Sequence, residues 1–129
     1  MAFGTLKADT LTHSTAGSLD TNYVVNGSAK AWITLDGTGT PSTSDSFNTG
    51  SITDNATGDY TIAISNAMNN ANYSLAGMAR QGGGGAGHMV HIDNSSSPTT
   101  SAFTIVITND SGAESDVDIV CSNVHGDLA

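Results

Sequence analysis

Residues 43–76 constrain the fold more than any other part of this chain, because apolar residues alternate there with small polar residues between turn signals. In residues 60–65 (YTIAIS) every second residue is a large apolar one, the pattern of a half-buried strand. Residues 54–59 (DNATGD) supply the Asn, Gly and Asp that tolerate the positive φ of a hairpin turn. A second polar turn follows at residues 66–72 (NAMNNAN). The pattern predicts antiparallel β structure.

The same alternation recurs along the rest of the chain, and no segment of ten residues favours a helix. Further strands are predicted around residues 29–36, 73–77, 88–92, 103–108 and 116–121, and loops at residues 37–44 and 81–87. We therefore predict an all-β chain, a single antiparallel β-sandwich or small barrel-like meander over residues 28–129. Residues 1–27 are patterned too irregularly for a long element, and we expect an extended N-terminal arm with one or two short strands that makes assembly contacts.

The charge of the chain argues against two classes of partner. Its 129 residues carry a net charge of −9, and Lys7, Lys30 and Arg80 are the only lysines and arginines. Neutralising nucleic-acid phosphates requires several cations on one face, so we expect no nucleic-acid partner. The acidity also disfavours an anionic membrane surface, and no run of about 20 apolar residues is present.

Cys121, His88 and His91 are candidate reactive or metal-binding groups. Cys121 is the single cysteine and alternates with Val117 and Ile119, which predicts a small core residue. His88 and His91 are three residues apart, and in a strand this odd spacing places the two imidazoles on opposite faces. We expect structural or surface roles for both, and the sequence leaves open whether either histidine meets an ion at a symmetry axis.

The acidic residues are better explained by local structure than by chemistry. Asp54, Asn55 and Asp59 lack the EF-hand spacing and suit the capping of a turn. Residues 114–118 are interpreted as a solvated acidic strand face rather than a general acid/base pair, and no Gly-x-Ser-x-Gly nucleophile elbow occurs. The prediction is a protein that is not an enzyme, with no catalytic residue, no cofactor and no metal site.

Trp32 is the one residue singled out as a candidate contact. It is the sole tryptophan, and in the predicted strand it lies on the face opposite Ala31 and Ile33. An exposed aromatic side chain of this kind suits a glycan or a protein partner.

Several motifs resemble a known group of proteins. The runs Asp45-Ser-Phe-Asn, Ser51-Ile-Thr-Asp-Asn-Ala-Thr-Gly-Asp-Tyr-Thr-Ile and Ala67-Met-Asn-Asn-Ala-Asn-Tyr-Ser resemble a module of virion surface proteins of tailed bacteriophages, especially marine ones. The opening Leu6-Lys-Ala-Asp-Thr-Leu and the segment from Ala31 to Pro41 are similar to such proteins as well. The resemblance extends over roughly residues 6–74.

This resemblance implies a non-enzymatic structural protein that is β-rich and homo-oligomeric, with a trimer expected. Because the chain has room for one module and an arm, the favoured function is a capsid decoration (cement) protein or short head fibre on the capsid exterior. Its partners would be its own copies and the major capsid protein or another virion structural protein, and it would be assembled in the host cytoplasm. Two alternatives are a tail-fibre or tail-tip receptor-binding module and a carbohydrate-binding adhesion domain.

Overall fold

A computed structural model describes residues 7–83 and 87–129 of the chain. The predictions made for residues 1–6 of the arm and for the centre of the glycine run, residues 84–86, lie outside the described residues. The strands are Thr10–His13 (β1), Gly17–Asp20 (β2), Ala31–Asp36 (β3), Ser42–Phe47 (β4), Thr49–Ala56 (β5), Asp59–Ile64 (β6), Ser74–Arg80 (β7), His88–Ile92 (β8), Ala102–Asn109 (β9) and Ile119–His125 (β10). One short helix, α1, spans Thr21–Gly27.

Eight of these strands form one antiparallel sheet that curls into a nearly closed barrel. Its order is β4-β3-β10-β7-β8-β9-β6-β5, which confirms the predicted all-β, barrel-like class. The segment after the second polar turn differs from the prediction, since β7 does not continue beside β6 but pairs with β10 and β8. The β7–β8 pairing is limited to Ala79 and His88.

The two edge strands, β4 and β5, are consecutive in the chain and are joined only by Asn48. Asn48 has a positive φ of 54°, so the backbone turns sharply there. The run Asn48-Thr49-Gly50 between Phe47 and Ile52 predicts a bulge or bend at these residues, and the structure has the bend at Asn48. The chain thus passes from one edge of the sheet to the other across the opening of the barrel.

The core is built from the inward faces of β3, β6, β9 and β10. In β3 and β6 every second residue is buried, as the alternation predicts. The buried apolar residues are Ala31, Ile33, Leu35, Tyr60, Ile62, Ile64, Met68, Phe103, Ile105, Ile107, Val117, Val120 and Val124. Burial of these faces provides the main drive for folding.

The prediction for Cys121 is wrong: its side chain is exposed on the outer face of β10. Val117 is buried but lies before the strand, and Val120, Ser122 and Val124 are the inward residues of β10. Because Val117 and Val120 are three residues apart, the alternation changes phase between them. A period of two counted from Val117 therefore assigns Cys121 to the wrong face.

The N-terminal arm, residues 7–27 of the described chain, holds more structure than predicted. β1 and β2 form a hairpin, and α1 follows directly. Asp20 caps the helix, since its Oδ1 accepts a hydrogen bond of 2.8 Å from the Asn22 amide. The irregular apolar spacing of this segment gave no signal for so short a helix.

A buried hydrogen-bond network fixes the turn between β5 and β6. The Tyr60 hydroxyl lies 2.6 Å from Asp116 Oδ1 and 3.0 Å from the Gly37 carbonyl oxygen, and donates toward both. The Gly58 amide donates to the same Asp116 oxygen at 2.7 Å. Residues 114–118 are therefore not an acidic strand face: they lie in the β9–β10 connection, and the Asp116 carboxylate accepts internal hydrogen bonds.

This network predicts a loss of stability in alkali. Burial raises the pKa of Tyr60 well above its ordinary value, and the hydrogen bond to Asp116 raises it further. The unfolded tyrosine ionises near pH 10, so the stability from the neutral folded form is complete below about pH 10 and is lost as the pH rises above it. The free energy of unfolding should then fall by up to about 1.4 kcal/mol per pH unit from this group.

Urea unfolding of the parent and of Tyr60→Phe at a series of pH values above about 10 measures how the free energy of unfolding falls with pH. The variant should retain a smaller slope, because burial also raises the pKa of Tyr73. Equal slopes for the two proteins would contradict the assignment to Tyr60.

Candidate functional site

The predicted contact residue, Trp32, lies on the outer face of four adjacent strands. Strand register places Phe47, Trp32, Asn123 and Ala76 in one row across β4, β3, β10 and β7. We call this surface the Trp32 face, and its next row consists of Asp45, Thr34, Cys121 and Met78. Asp45 is the only charged member of the two rows.

Large apolar side chains project from this face into solvent. Met78 is 78% exposed and Phe47 is 54% exposed, and Trp32 is half-buried between the strands that carry them. A shallow hollow of about 300 Å³ runs between Trp32 and Met78 along β10. Single exposed apolar residues are common, but several on adjacent strands are typical of an interaction surface.

Polar groups within the hollow are few. The Asn123 Oδ1 atom is buried and has no hydrogen-bond partner. Cys121 Sγ lies 3.7 Å from the Thr34 hydroxyl oxygen, within weak hydrogen-bond range. The arrangement suits contact with an apolar or amphipathic surface and carries no pair of groups arranged for acid/base chemistry.

A second concave surface lies on the outer side of β8 and β9. A cleft of about 590 Å³ is lined by Met89, His91, Ile92, Thr108 and Glu114, among others. His91 Nε2 lies 2.7 Å from the Thr108 hydroxyl, so this imidazole has a partner within the chain. His88 points toward the other side of β8 and is half-buried, as the odd spacing predicts, and its Nδ1 is buried without a partner.

Two of the three polar turn residues, Asn55 and Asp59, are hydrogen-bonded to each other. Asn55 Nδ2 donates to Asp59 Oδ1 at 3.0 Å and to the Thr61 hydroxyl at 2.9 Å. The turn itself is tighter than predicted, because β5 extends to Ala56 and only Thr57 and Gly58 connect it to β6. Within residues 7–83 and 87–129, no three His, Cys, Asp or Glu side chains cluster to hold a metal ion.

Two of the three cations are also engaged. Lys30 is only 7% exposed, and its ammonium donates to the carbonyl oxygens of Val25 and Ser28. Arg80 lies 3.8 Å from the Asp118 carboxylate. Lys30 and Arg80 thus both have partners within the chain, Lys30 buried and Arg80 on the surface.

The neighbours of Trp32 on this face were not predicted from the sequence. The alternation of β7, with Leu75 and Ala79 inward, would have placed Met78 on the outside. The sequence does not show that β7 lies next to β10. This pairing separates Met78 from β3 by only one strand.

Comparison with family models, curated proteins and solved structures finds no match for this chain. Among the described residues, no helix has the length and apolar character needed to cross a membrane.

Proposed function

We propose that this chain is a non-enzymatic structural protein of a tailed-phage virion, a homo-oligomeric decoration (cement) protein or short head fibre on the capsid exterior. The phage assignment is supported by the sequence resemblance, whose most specific runs correspond to β4, β5 and β6. Its partners are its own copies, in a trimer, and the major capsid protein or another virion structural protein.

One observation carries the assembly part of this proposal, namely the amount of exposed surface. The isolated chain exposes 7822 Å², whereas a compact monomer of 13.0 kDa exposes about 6,300 Å². The excess of about 1,500 Å² is nearly twice the roughly 800 Å² that each partner contributes to a standard interface. A chain with this excess is better suited to an assembly than to an independent monomer.

The exposed surface also has the composition that close assembly requires. Only 12% of the residues are charged, although the net charge is −9. Copies packed closely on a shell repel each other through that net charge, so contacts must form where charge is sparse. The Trp32 face, with Asp45 as its only charged member, meets this condition.

The experiment that tests the proposal locates the protein on the intact particle. Gold-labelled antibody against the protein should decorate the capsid, and quantitative mass spectrometry should give a fixed ratio to the major capsid protein. Particles made without the gene serve as the control and should have an intact but weaker shell. Label confined to the tail would contradict the capsid assignment.

A second candidate, a receptor-binding or glycan-binding module, is favoured by the half-buried Trp32 beside exposed Phe47 and Met78. Aromatic side chains on a shallow surface can stack on a sugar ring. On this alternative the purified protein should bind on a glycan array and inhibit adsorption to host cells, and Trp32→Ala should abolish both. Absence of binding by the parent protein would remove it.

A further inference from the structure

We propose that the N-terminal arm of one copy docks on the Trp32 face of a second copy, with the exposed Met78 side chain entering an apolar hollow in the arm. The inference deepens the proposed function, because it rests on the homo-oligomeric assembly proposed above and names the two surfaces that form it. The occupant of the Trp32 face is thus a segment of this same chain.

The arm carries a hollow of the required character. A hollow of about 500 Å³ lies between residues 7–11 and α1, and its mainly apolar lining includes Leu11, Val24 and Val25, with Lys7 and Asp9 beside them. These three side chains are 43%, 42% and 60% exposed. Nearby, Leu19 and Tyr23 are also exposed. An apolar hollow of this size accommodates a projecting side chain such as methionine, whose flexible thioether adapts to irregular space.

The arm is held away from the sheet of its own chain. Within the described residues, β1, β2 and α1 pack extensively only on one another. Lys30, directly before β3, donates to the Val25 and Ser28 carbonyl oxygens and to the Ser28 hydroxyl. These hydrogen bonds tie the C-terminal end of α1 to the barrel and fix the direction in which the arm extends from it.

The Trp32 face is the complementary surface on the barrel. It presents Phe47, Trp32 and Met78 on three different strands, and Met78 is the most exposed of the large apolar residues described. The described arm contains three charges, Lys7, Asp9 and Asp20, with a net charge of −1, and the face contains one, Asp45. The electrostatic repulsion between two copies of a chain with net charge −9 is smallest where these sparsely charged surfaces meet.

The area and the symmetry agree with this contact. Each copy contributes an arm to one neighbour and a face to another, and the excess of about 1,500 Å² matches two such contributions of roughly 800 Å² each. A contact between different surfaces is head-to-tail, and it closes into a ring when the rotation between copies permits. A ring of three copies satisfies the expected trimer.

A mixing experiment with two full-length variants tests the inference. Met78→Glu places a charge on the face, and Val25→Glu places one in the arm. Each variant by itself should be monomeric in light scattering. Every contact between its copies joins an arm to a Trp32 face, and one of these two surfaces carries the added charge. An equimolar mixture should give a one-to-one pair, since the intact arm of Met78→Glu docks on the intact face of Val25→Glu.

Ile92→Glu is the matched control. Ile92 is 46% exposed on β8, outside the Trp32 face, and the substitution adds the same charge. It should retain the mass of the parent. All samples contain a reductant, so that the exposed Cys121 forms no disulfide, and circular dichroism verifies the β structure of each variant.

Three results would overturn the inference. They are a parental mass for either single variant, a mixture that stays monomeric, and a parent that is itself a monomer. The first two leave the proposed virion function standing, because they concern only which surfaces meet. The location of the protein on the particle, measured by the gold label, decides that function separately.

Discussion

Replacing Asn48 by alanine is expected to lower the free energy of unfolding by about 3 kcal/mol, a large part of the stability of a domain this size. Asn48 connects the two edge strands with φ at 54°. Its Nδ2 donates to the carbonyl oxygens of Lys30 at 2.9 Å and Asn66 at 3.2 Å. Its Oδ1 accepts from the Asn66 amide at 2.7 Å and from Asn66 Nδ2 at 2.9 Å.

Alanine removes all of these hydrogen bonds and is also strained at positive φ. Asn48→Gly separates the two effects, because glycine adopts this backbone freely but makes no side-chain hydrogen bonds. Urea unfolding should rank the parent first, Asn48→Gly second and Asn48→Ala last. Parental stability for Asn48→Gly would show that the hydrogen bonds across the barrel opening contribute nothing.

Gly58→Ala is expected to be at least as damaging, with a loss of about 3–4 kcal/mol and a melting temperature lower by roughly 10 °C or more. Gly58 has φ at 68°, and its turn is docked against the end of the barrel. An added Cβ would lie 2.8 Å from the Ile107 carbonyl oxygen and 2.8 Å from the Ser115 amide nitrogen. Both are backbone atoms, so no side-chain rotation relieves the overlap.

Gly39→Ala is the matched control for this prediction. Gly39 has nearly the same φ, 65°, but among the described residues no atom beyond its chain neighbours lies within 4 Å of an added Cβ. The free energy of unfolding of Gly39→Ala should fall only by the strain of an alanine in the left-handed region, about 1–2 kcal/mol. Thermal melts of the two variants compare them directly, and equal losses would indicate that close packing at Gly58 has no energetic effect.

The strands of this protein were largely predictable, because the inward residues of an amphipathic strand repeat with a period of two. Ile33 in β3, Ile62 in β6 and Ile105 in β9 are buried as their alternation predicts. The prediction failed where the phase changes, as between Val117 and Val120, because no local pattern marks such a shift. It failed also for α1, whose seven residues are too few for helical periodicity to be recognised.

The candidate site was predictable only in part. Trp32 was found because it is the sole tryptophan and lies on the outward phase of a clear strand. Its surroundings were not, since Phe47, Trp32 and Met78 are far apart in sequence and meet through the pairing of β4, β3, β10 and β7. The hydrogen bonds from Lys30 to the Val25 and Ser28 carbonyl oxygens were equally unpredicted, because α1 itself was not predicted.

The sequence by itself determined the all-β class, most strand positions and the sparsely charged surface of this protein. These properties depend on residue type and short-range spacing, which are present in the linear chain. The tertiary structure alone decided the order of the strands, the near closure at Asn48 and the joining of distant side chains into the Trp32 face. Such features depend on which strand edges hydrogen-bond to each other, and a backbone edge offers the same N–H and C=O groups whatever its side chains.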